Sequence, residues 1–565
     1  MKGLARRRLG GALIALAAAA VLAAAADSGF VRALERRLAR DEVAAPLEVR
    51  NRLRAQLRGL LHVQAPESPH ALEPLGADGR CPAPRLGTRP TSPELMPSSW
   101  RAPGGEWLAR GRTLVSLAVD RCRLRWLHEH RFGHGRRFEE LGWVSIFEDG
   151  ELRFASPVGV RMHGHTGRQR APFNYRLYFR RAFGGAELPA SWIDPQLAGN
   201  LDEVVLKRDL GPLPGGRPWP FVESVAFAVA RRLGAHAPGF RPVALSLNGQ
   251  TPLTYAVSER ITKPFLLRRF GDGDFEIVPG KVHSRQREAA RLRQLQHWVR
   301  EAPLPLRADH AAERFDMPSL LDSLVTALVV GAGDAFQDAL VRDRRGERLD
   351  GRWFFVLWDH DFGFRDSPRF KRFPGGAPDL LPMLVAPAAS FYRVPEMLVR
   401  RLQREDAAFR GLLTRRLATA FNHELTPEFF AALVAEHERL AEEVGLADRS
   451  FLAGLREALD RRPRELFDQL ERLLGAAPFQ PLEVVSSGPR FRVDGHEATR
   501  RFRGWSSVDA PVRLEIVGDD RERFAGWYAG ERLVSDAPVL ETGDAAAVSL
   551  AARAGSTPQR SRPTG

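Results

Sequence analysis

Two cysteines, Cys81 and Cys122, and five lysines, Lys2, Lys207, Lys263, Lys281 and Lys371, are all that 565 residues contain of either type. Two thiols cannot build a four-coordinate structural zinc site, which needs more ligands at close spacing. They leave one disulfide or two unpaired thiols as open alternatives. With so little lysine, the formal charge of +15 is carried almost wholly by arginine. Such a bias reflects a GC-rich genome more often than a nucleic-acid footprint. No basic block is long enough to serve as a binding arm, so nucleic acid is not expected as a partner. The Gly-x-Ser-x-Gly elbow is also missing, which removes Ser/His/Asp hydrolases of that kind. Apolar residues make up 44%, enough for real cores. Disorder, a coiled coil, collagen and a polytopic membrane protein are excluded for the whole chain, and the length allows about three or four units.

The N-terminus carries the first positive signal. Arg6, Arg7 and Arg8 precede an uncharged, Ala- and Leu-rich stretch from Leu9 to Ala26 that breaks at Asp27. This is the charged and apolar pattern of a secretory signal, with Ala-x-Ala sites near Ala23 to Ala26. It is also almost long enough to stay in a bilayer as an anchor. Both alternatives place the body of the protein outside the cytoplasm, in the periplasm, secreted or held at the membrane by this segment. No cysteine follows the apolar stretch, so a lipoprotein anchor is not expected.

Periodicity divides the rest. Residues 1–26 are signal or anchor, 27–63 read as helical, and 64–105 form a linker dense in Pro, Gly and Ser. Residues 106–302 are β-rich, with strands expected at Thr113–Val119, Trp143–Phe147, Val158–Met162, Tyr175–Phe179, Val204–Leu206, Val243–Leu247 and Tyr255–Val257. One helix is expected among them, from Trp219 to Leu233. Residues 303–480 turn helical, with Asp316 capping one helix and Thr426-Pro427-Glu428 starting another. Residues 481–554 form a small β unit, and 555–565 a frayed tail.

The stretch richest in chemistry is Trp358-Asp359-His360-Asp361-Phe362-Gly363-Phe364, which follows the apolar run Trp353–Leu357. Two carboxylates one residue apart at the mouth of a buried strand suit Mg²⁺, which takes carboxylate oxygens and keeps waters to meet a phosphate. Earlier, Asp334 sits in a loop after a helix, with Gln337 and Asp338 close by. Loop aspartate, strand, then aspartate-containing turn is the order of protein-kinase-type catalytic lobes.

Several blocks, in order, resemble the CotH kinase family, the spore-coat protein H-like proteins with a divergent protein-kinase-like fold. They are Gly159-Val160-Arg161-Met162-His163-Gly164-His165-Thr166-Gly167-Arg168, then Phe173-Asn174-Tyr175-Arg176-Leu177-Tyr178-Phe179. Leu247-Asn248-Gly249 follows, leading into Tyr255-Ala256-Val257-Ser258-Glu259-Arg260, and last come Asp334 and the acidic turn. The resemblance spans roughly Thr113 to Leu474. It implies an α+β fold, a two-lobed kinase-like core with a β-rich N-lobe and a helical C-lobe, followed by the small C-terminal β domain. It implies transfer of the ATP γ-phosphoryl to a protein hydroxyl with Mg²⁺, or Mn²⁺ in its place. The acceptor would be a protein of the cell envelope or surface.

Carried over by position, the resemblance makes Asp334 the catalytic base, Asp359 the main metal ligand and Asp361 its neighbour. Gln337, or Asp338, stands where the family has a second, asparagine ligand. Glu259 would orient a phosphate-binding cation, and Arg161 and Arg168 would face phosphates. Tyr178 stands where many members have lysine, which leaves Arg176, Lys207 or Lys281 as substitute cations. An inactive structural protein of the envelope built on the same fold is the alternative, and a metal-dependent hydrolase a third. His128-Glu129-His130 and His163-Gly164-His165 could converge on a metal, although the second pair is better placed beside phosphate. Phe524-Ala525-Gly526-Trp527-Tyr528 resembles Gly-Trp repeats of bacterial surface proteins, yet reads more simply as an aromatic core.

Overall fold

The computed structural model describes residues 112–554 except 165, 170, 181–182, 184–185, 209–220, 280–285, 332–336, 362, 365–392, 447–449 and 543–548. The expectations for 1–111 and 555–565, and for Cys81, His165, Lys281 and Asp334, fall outside the described residues.

From Thr113 to Ser258, short apolar runs and apolar alternation drive strands whose inner faces meet. The strands are β1 (Thr113–Val119), β2 (Glu140–Glu148), β3 (Glu151–Met162) and β4 (Tyr175–Tyr178), then β7 (Glu203–Arg208), β8 (Phe240–Leu247) and β9 (Leu253–Ser258). Between β4 and β7, β5 (Leu188–Pro189) and β6 (Asn200–Leu201) make a short ribbon. The seven longer strands close into a barrel, β1-β2-β3-β4-β7-β9-β8, sealed by the parallel pairing of β1 with β8. Val115, Leu117, Val160, Leu177, Val204, Leu206 and Tyr255 fill its interior. The same alternation turns Arg161, Arg176, Tyr178, Glu203, Val205 and Lys207 to the outer face.

All seven strands expected from these apolar runs are present. Closure was not foreseen, nor were three helices: α1 (Arg121–Glu129), α3 (Lys263–Phe270) and α4 (Gln286–Glu301). The foreseen helix is α2 (Val222–Arg232), whose Val222, Val225 and Val229 pack with Leu114 and Ala244 on the outside of the barrel.

The helical part is built on α6 (Met317–Val330), buried on nearly every side and capped as expected by the Asp316 carboxylate on Ser319 N. The short α5 (Ala308–Ala312) precedes it, and α7 (Val394–Glu405), α8 (Ala407–Thr419), α9 (Pro427–Glu443) and α10 (Ser450–Leu474) surround it. One antiparallel sheet, β10 (Phe275–Val278), β11 (Ala339–Asp343) and β12 (Phe354–Val356), draws on both sides of residue 303. Its register sets Ala339 against Val356. The residues just before β11, Gln337 and Asp338, therefore lie beside those just after β12, Leu357 and Trp358.

The C-terminal strands are β13 (Gln480–Ser486), β14 (Phe491–Val493), β15 (Arg501–Ser506), β16 (Arg513–Ile516), β17 (Phe524–Ala529), β18 (Arg532–Ser535), β19 (Val539–Glu541) and β20 (Ser549–Ala554). They form a five-stranded and a three-stranded sheet around Trp527, which is fully buried and donates its indole N–H to Ala537 O. A π-helical turn, Ala420–Glu424, docks this unit. Its Asn422 amide mimics a strand, donating to Trp505 O at 2.9 Å and accepting from Trp505 N at 2.8 Å. Asn422→Ala would orphan both backbone groups and cost about 1–3 kcal/mol. Urea denaturation should show the C-terminal unit loosening first; an unchanged midpoint would contradict this docking role.

Candidate active site

The barrel, α2 and the turn after β12 meet at one ammonium. Lys207, at the outer-face end of β7, lies 2.8 Å from Glu223 Oε2, 2.8 Å from Asp359 Oδ1 and 3.6 Å from Asp361 Oδ2. Glu223 comes from the first turn of α2, where a carboxylate is favoured by the helix dipole. Lys207, Glu223 and Asp361 are nearly buried, while Asp359 keeps a quarter of its side chain exposed. Trp358 faces the Lys207 ammonium at 6.0 Å, and the His163 ring stands edge-on to the indole at 6.4 Å.

Three carboxylates around one ammonium are an excess of anion, and the protonation states show it. Burial works against the Lys207 charge, but Asp359, Asp361 and Glu223 together overcome it and raise its pKa well above the ordinary value. Glu223 is raised as well, to about 7. Burial is the main cause, the two aspartates add repulsion, and Lys207 offsets only part. Burial, with the cations Arg176, Arg260, Lys207 and Arg168 nearby, lowers His163 far below the usual imidazole range and keeps it neutral.

The turn itself is tightly set. Asp359 has φ +66° and Phe364 φ +50°, both in the left-handed region that disfavours side chains. Gly363 has no room for more than hydrogen: a Cβ there would lie 2.9 Å from Val330 O and 3.0 Å from the Val222 side chain. Glycine thus lets the turn sit against α6 and α2 together.

The other sequence candidates are placed as follows. Gln337 is buried beside the turn through the β11–β12 register. Arg161 and Arg176 share the outer barrel face with Lys207, paired with Glu139 and Glu203 respectively. Together with Arg180 they surround the Tyr178 ring at 4.5–4.6 Å. Arg168 donates to the carbonyls of Arg131, Gly133 and Met162, stitching the β3–β4 connection to the loop after α1. Glu259 is not brought to Lys207. It is fully buried and held by Arg268 at 3.1 Å, Arg269 at 2.5 Å and Gly239 N at 2.8 Å. Of the first histidine pair, His128 of α1 bonds the Tyr175 hydroxyl, while His130, the residue that caps α1 at its C-terminus, bonds the Trp126 carbonyl. Among the described residues no group of three or more His, Cys, Asp or Glu forms a metal cluster.

A cavity of about 520 Å³ lies elsewhere, between the barrel, α2 and α9, lined by Trp192, Arg231, Arg241, His437 and Glu443 among others. Its charges are paired, Arg241 with Glu148 and Glu443, and Arg231 with Asp194. The hollow beside Lys207, Glu223 and Asp361 is far smaller, about 30 Å³. Chemistry favours the smaller site, because only there do an ammonium and several carboxylates converge.

A lysine held by a helix glutamate beside an aspartate turn after a strand is the constellation of kinase-like proteins. Residues 218–469 match the family model described as CotH kinase protein. The match includes Glu223, Glu259, Gln337, Asp359 and Asp361 but begins after Lys207 and the first strands of the barrel. No curated protein matches the chain.

Sequence reasoning missed Glu223. A signal was there: the apolar run Val204-Val205-Leu206 leads into Lys207 near the end of a strand, and the next helix has glutamate in its first turn. Asp361-Phe362-Gly363, moreover, spells the kinase metal-binding tripeptide.

Proposed function

We propose that this protein is an exported or membrane-anchored kinase-like phosphotransferase that moves the γ-phosphoryl of ATP to a hydroxyl of an envelope or surface protein. The observation that carries the reading is Lys207, which joins Glu223 to Asp359 and Asp361. In protein kinases such a lysine holds nucleotide phosphates, its glutamate fixes it, and the aspartate of Asp-Phe-Gly holds magnesium.

Asp359 and Asp361 fit Mg²⁺ or Mn²⁺, because two carboxylates that reach one ammonium can reach one cation, and Mg²⁺ uses one or two carboxylates beside phosphate oxygens. Gln337 would complete their side of the site. When bound, the ion neutralises charge on the transferring phosphoryl group. Lys207 binds and orients the phosphates, Glu223 keeps its ammonium in place, and Asp334 accepts the hydroxyl proton. Arg161 and Arg176 reach the phosphates already paired with carboxylates, while Arg168 acts through the turn it stitches. Lys207 does the work for which Tyr178 lacks a charge.

One feature of the sequence supports the extracytoplasmic location: the arginine-led apolar segment 9–26. Among the described residues no helix is long and apolar enough to cross a membrane.

The test is nucleotide-induced thermal stabilisation. ATP with Mg²⁺ should raise the melting temperature of the wild type, ATP with EDTA should do so far less, and Asp359→Asn should abolish the Mg²⁺-dependent part. If no nucleotide shifts the wild type, the structural-protein alternative takes its place.

A further inference from the structure

Asp338 stands one residue from Gln337 and is 1% exposed, yet it is a carboxylate with no ammonium or guanidinium against it in its described contacts. Its partners are two parts of the acidic turn and one helix. Oδ1 accepts from the backbone N–H of Trp358 at 3.2 Å and from the His360 ring Nε2–H at 3.0 Å. Oδ2 accepts from the Ser323 hydroxyl of α6. His360 and Ser323 are buried with it.

These two Oδ1 bonds fall on the residues either side of Asp359, the one with φ +66°. A left-handed backbone at a residue with a side chain costs about 1–2 kcal/mol and persists where the surroundings dictate it. We propose that Asp338 is the positioning residue of the acidic turn: it pins Trp358 and His360 to α6 and so holds Asp359 and Asp361 aimed at a common cation.

The proposal rests on the reading of that turn as a metal seat, and it separates Asp338 from the ligand role its position beside Gln337 suggests. Three donors already converge on its carboxylate, which suits an anchor. The delivery is a matter of register. Because Ala339 pairs with Val356, the residue before β11 is set beside the residues leaving β12, and a carboxylate there meets the turn's first free N–H. A metal site's supporting hydrogen bonds typically govern affinity by about 10–100-fold.

The test compares Asp338→Asn with Asp338→Leu. The amide keeps an oxygen for Trp358 N and the His360 ring and an N–H for Ser323 Oγ, whereas leucine keeps only the shape. Hydrogen exchange over residues 353–361 and Mn²⁺ affinity by electron paramagnetic resonance are the readouts. Leucine should speed exchange of the turn and weaken Mn²⁺ by about tenfold or more, while asparagine stays within about threefold of wild type. Exchange in the barrel strands should not move.

If asparagine loses as much Mn²⁺ affinity as leucine while its turn stays protected, Asp338 is a ligand and the proposal falls. Unchanged exchange in the leucine variant also overturns it. Should leucine prevent folding, Ser323→Ala, which cuts the tie to α6, must still speed exchange of the turn; no change there is equally fatal. If wild type binds no Mn²⁺, the metal-seat reading fails, and the exchange measurement decides the anchor alone.

Discussion

Lys207→Met is expected to destabilise the metal-free protein by about 3–5 kcal/mol, the usual cost of removing one member of a buried charge group. The lysine is 10% exposed and stands among Glu223, Asp359 and Asp361, so its loss leaves three carboxylates facing one another. Methionine fills similar volume, which isolates charge from packing. The variant also carries a signature that ordinary core damage lacks. Millimolar Mg²⁺ should restore part of its stability, because a divalent ion on Asp359 and Asp361 supplies the missing positive charge. Wild type should gain less, since its ammonium already serves. Urea unfolding of both proteins in EDTA and in Mg²⁺ gives the four values needed. Phosphotransfer, measured with ATP and co-exported proteins, should fall by about 10²–10³-fold, as for loss of one electrostatic contact to the reacting group. A variant as stable as wild type in EDTA would show that the cluster is not a charge-compensated unit. The same loss of stability with no nucleotide effect in wild type is the outcome that a structural protein would give.

What the sequence disclosed here follows from range. Strands announced themselves because short apolar or alternating runs mark them, and Val204-Val205-Leu206, buried on both faces of the barrel wall, is such a run. Barrel closure depends on Leu114–Leu117 of β1 pairing with Ala244–Leu247 of β8, far apart in the chain, and no local pattern records it. Helices α3 and α4 were hidden for another reason: α4 is dense in arginine and glutamine, so its apolar stripe is narrow.

The site was legible where its residues are chain neighbours and illegible where they are not. Asp359 and Asp361 stood out as a pair. Glu259 looked like the cleft glutamate because it ends a strand in a familiar motif, but Arg268 and Arg269 of α3, a helix not foreseen, take its charge. The partner Lys207 uses is Glu223, which in the sequence is one acidic residue on an otherwise apolar helix face. Only folding puts it against β7. Tyr178 departs from the family's lysine without emptying the site of cations, since the neighbouring strand supplies Lys207 on the same face of the barrel.

Glu223→Gln should flatten a pH dependence that wild type shows between about pH 4.5 and 7. In the folded protein Glu223 titrates near 7 rather than at its ordinary 4.5, through burial and the aspartates beside it. Below pH 4.5 the carboxyl is protonated in both folded and unfolded chains, and no stability is lost. Between the two values the unfolded chain gives up the proton and the fold keeps it, so stability declines as pH rises. Above 7 both are ionised and the fold bears the whole cost, about 3 kcal/mol from the size of the shift. Glutamine fits the same space and never ionises, so its advantage over wild type should grow with pH across this window and then level off. Other carboxylates titrate in both proteins, which makes the difference between their urea midpoints, taken in EDTA from pH 4.5 to 8, the informative curve. Adding Mg²⁺ should shrink that difference by neutralising Asp359 and Asp361, the neighbours that help to raise Glu223. A difference that stays constant with pH would mean that Glu223 is ionised throughout and that Lys207 alone satisfies all three carboxylates.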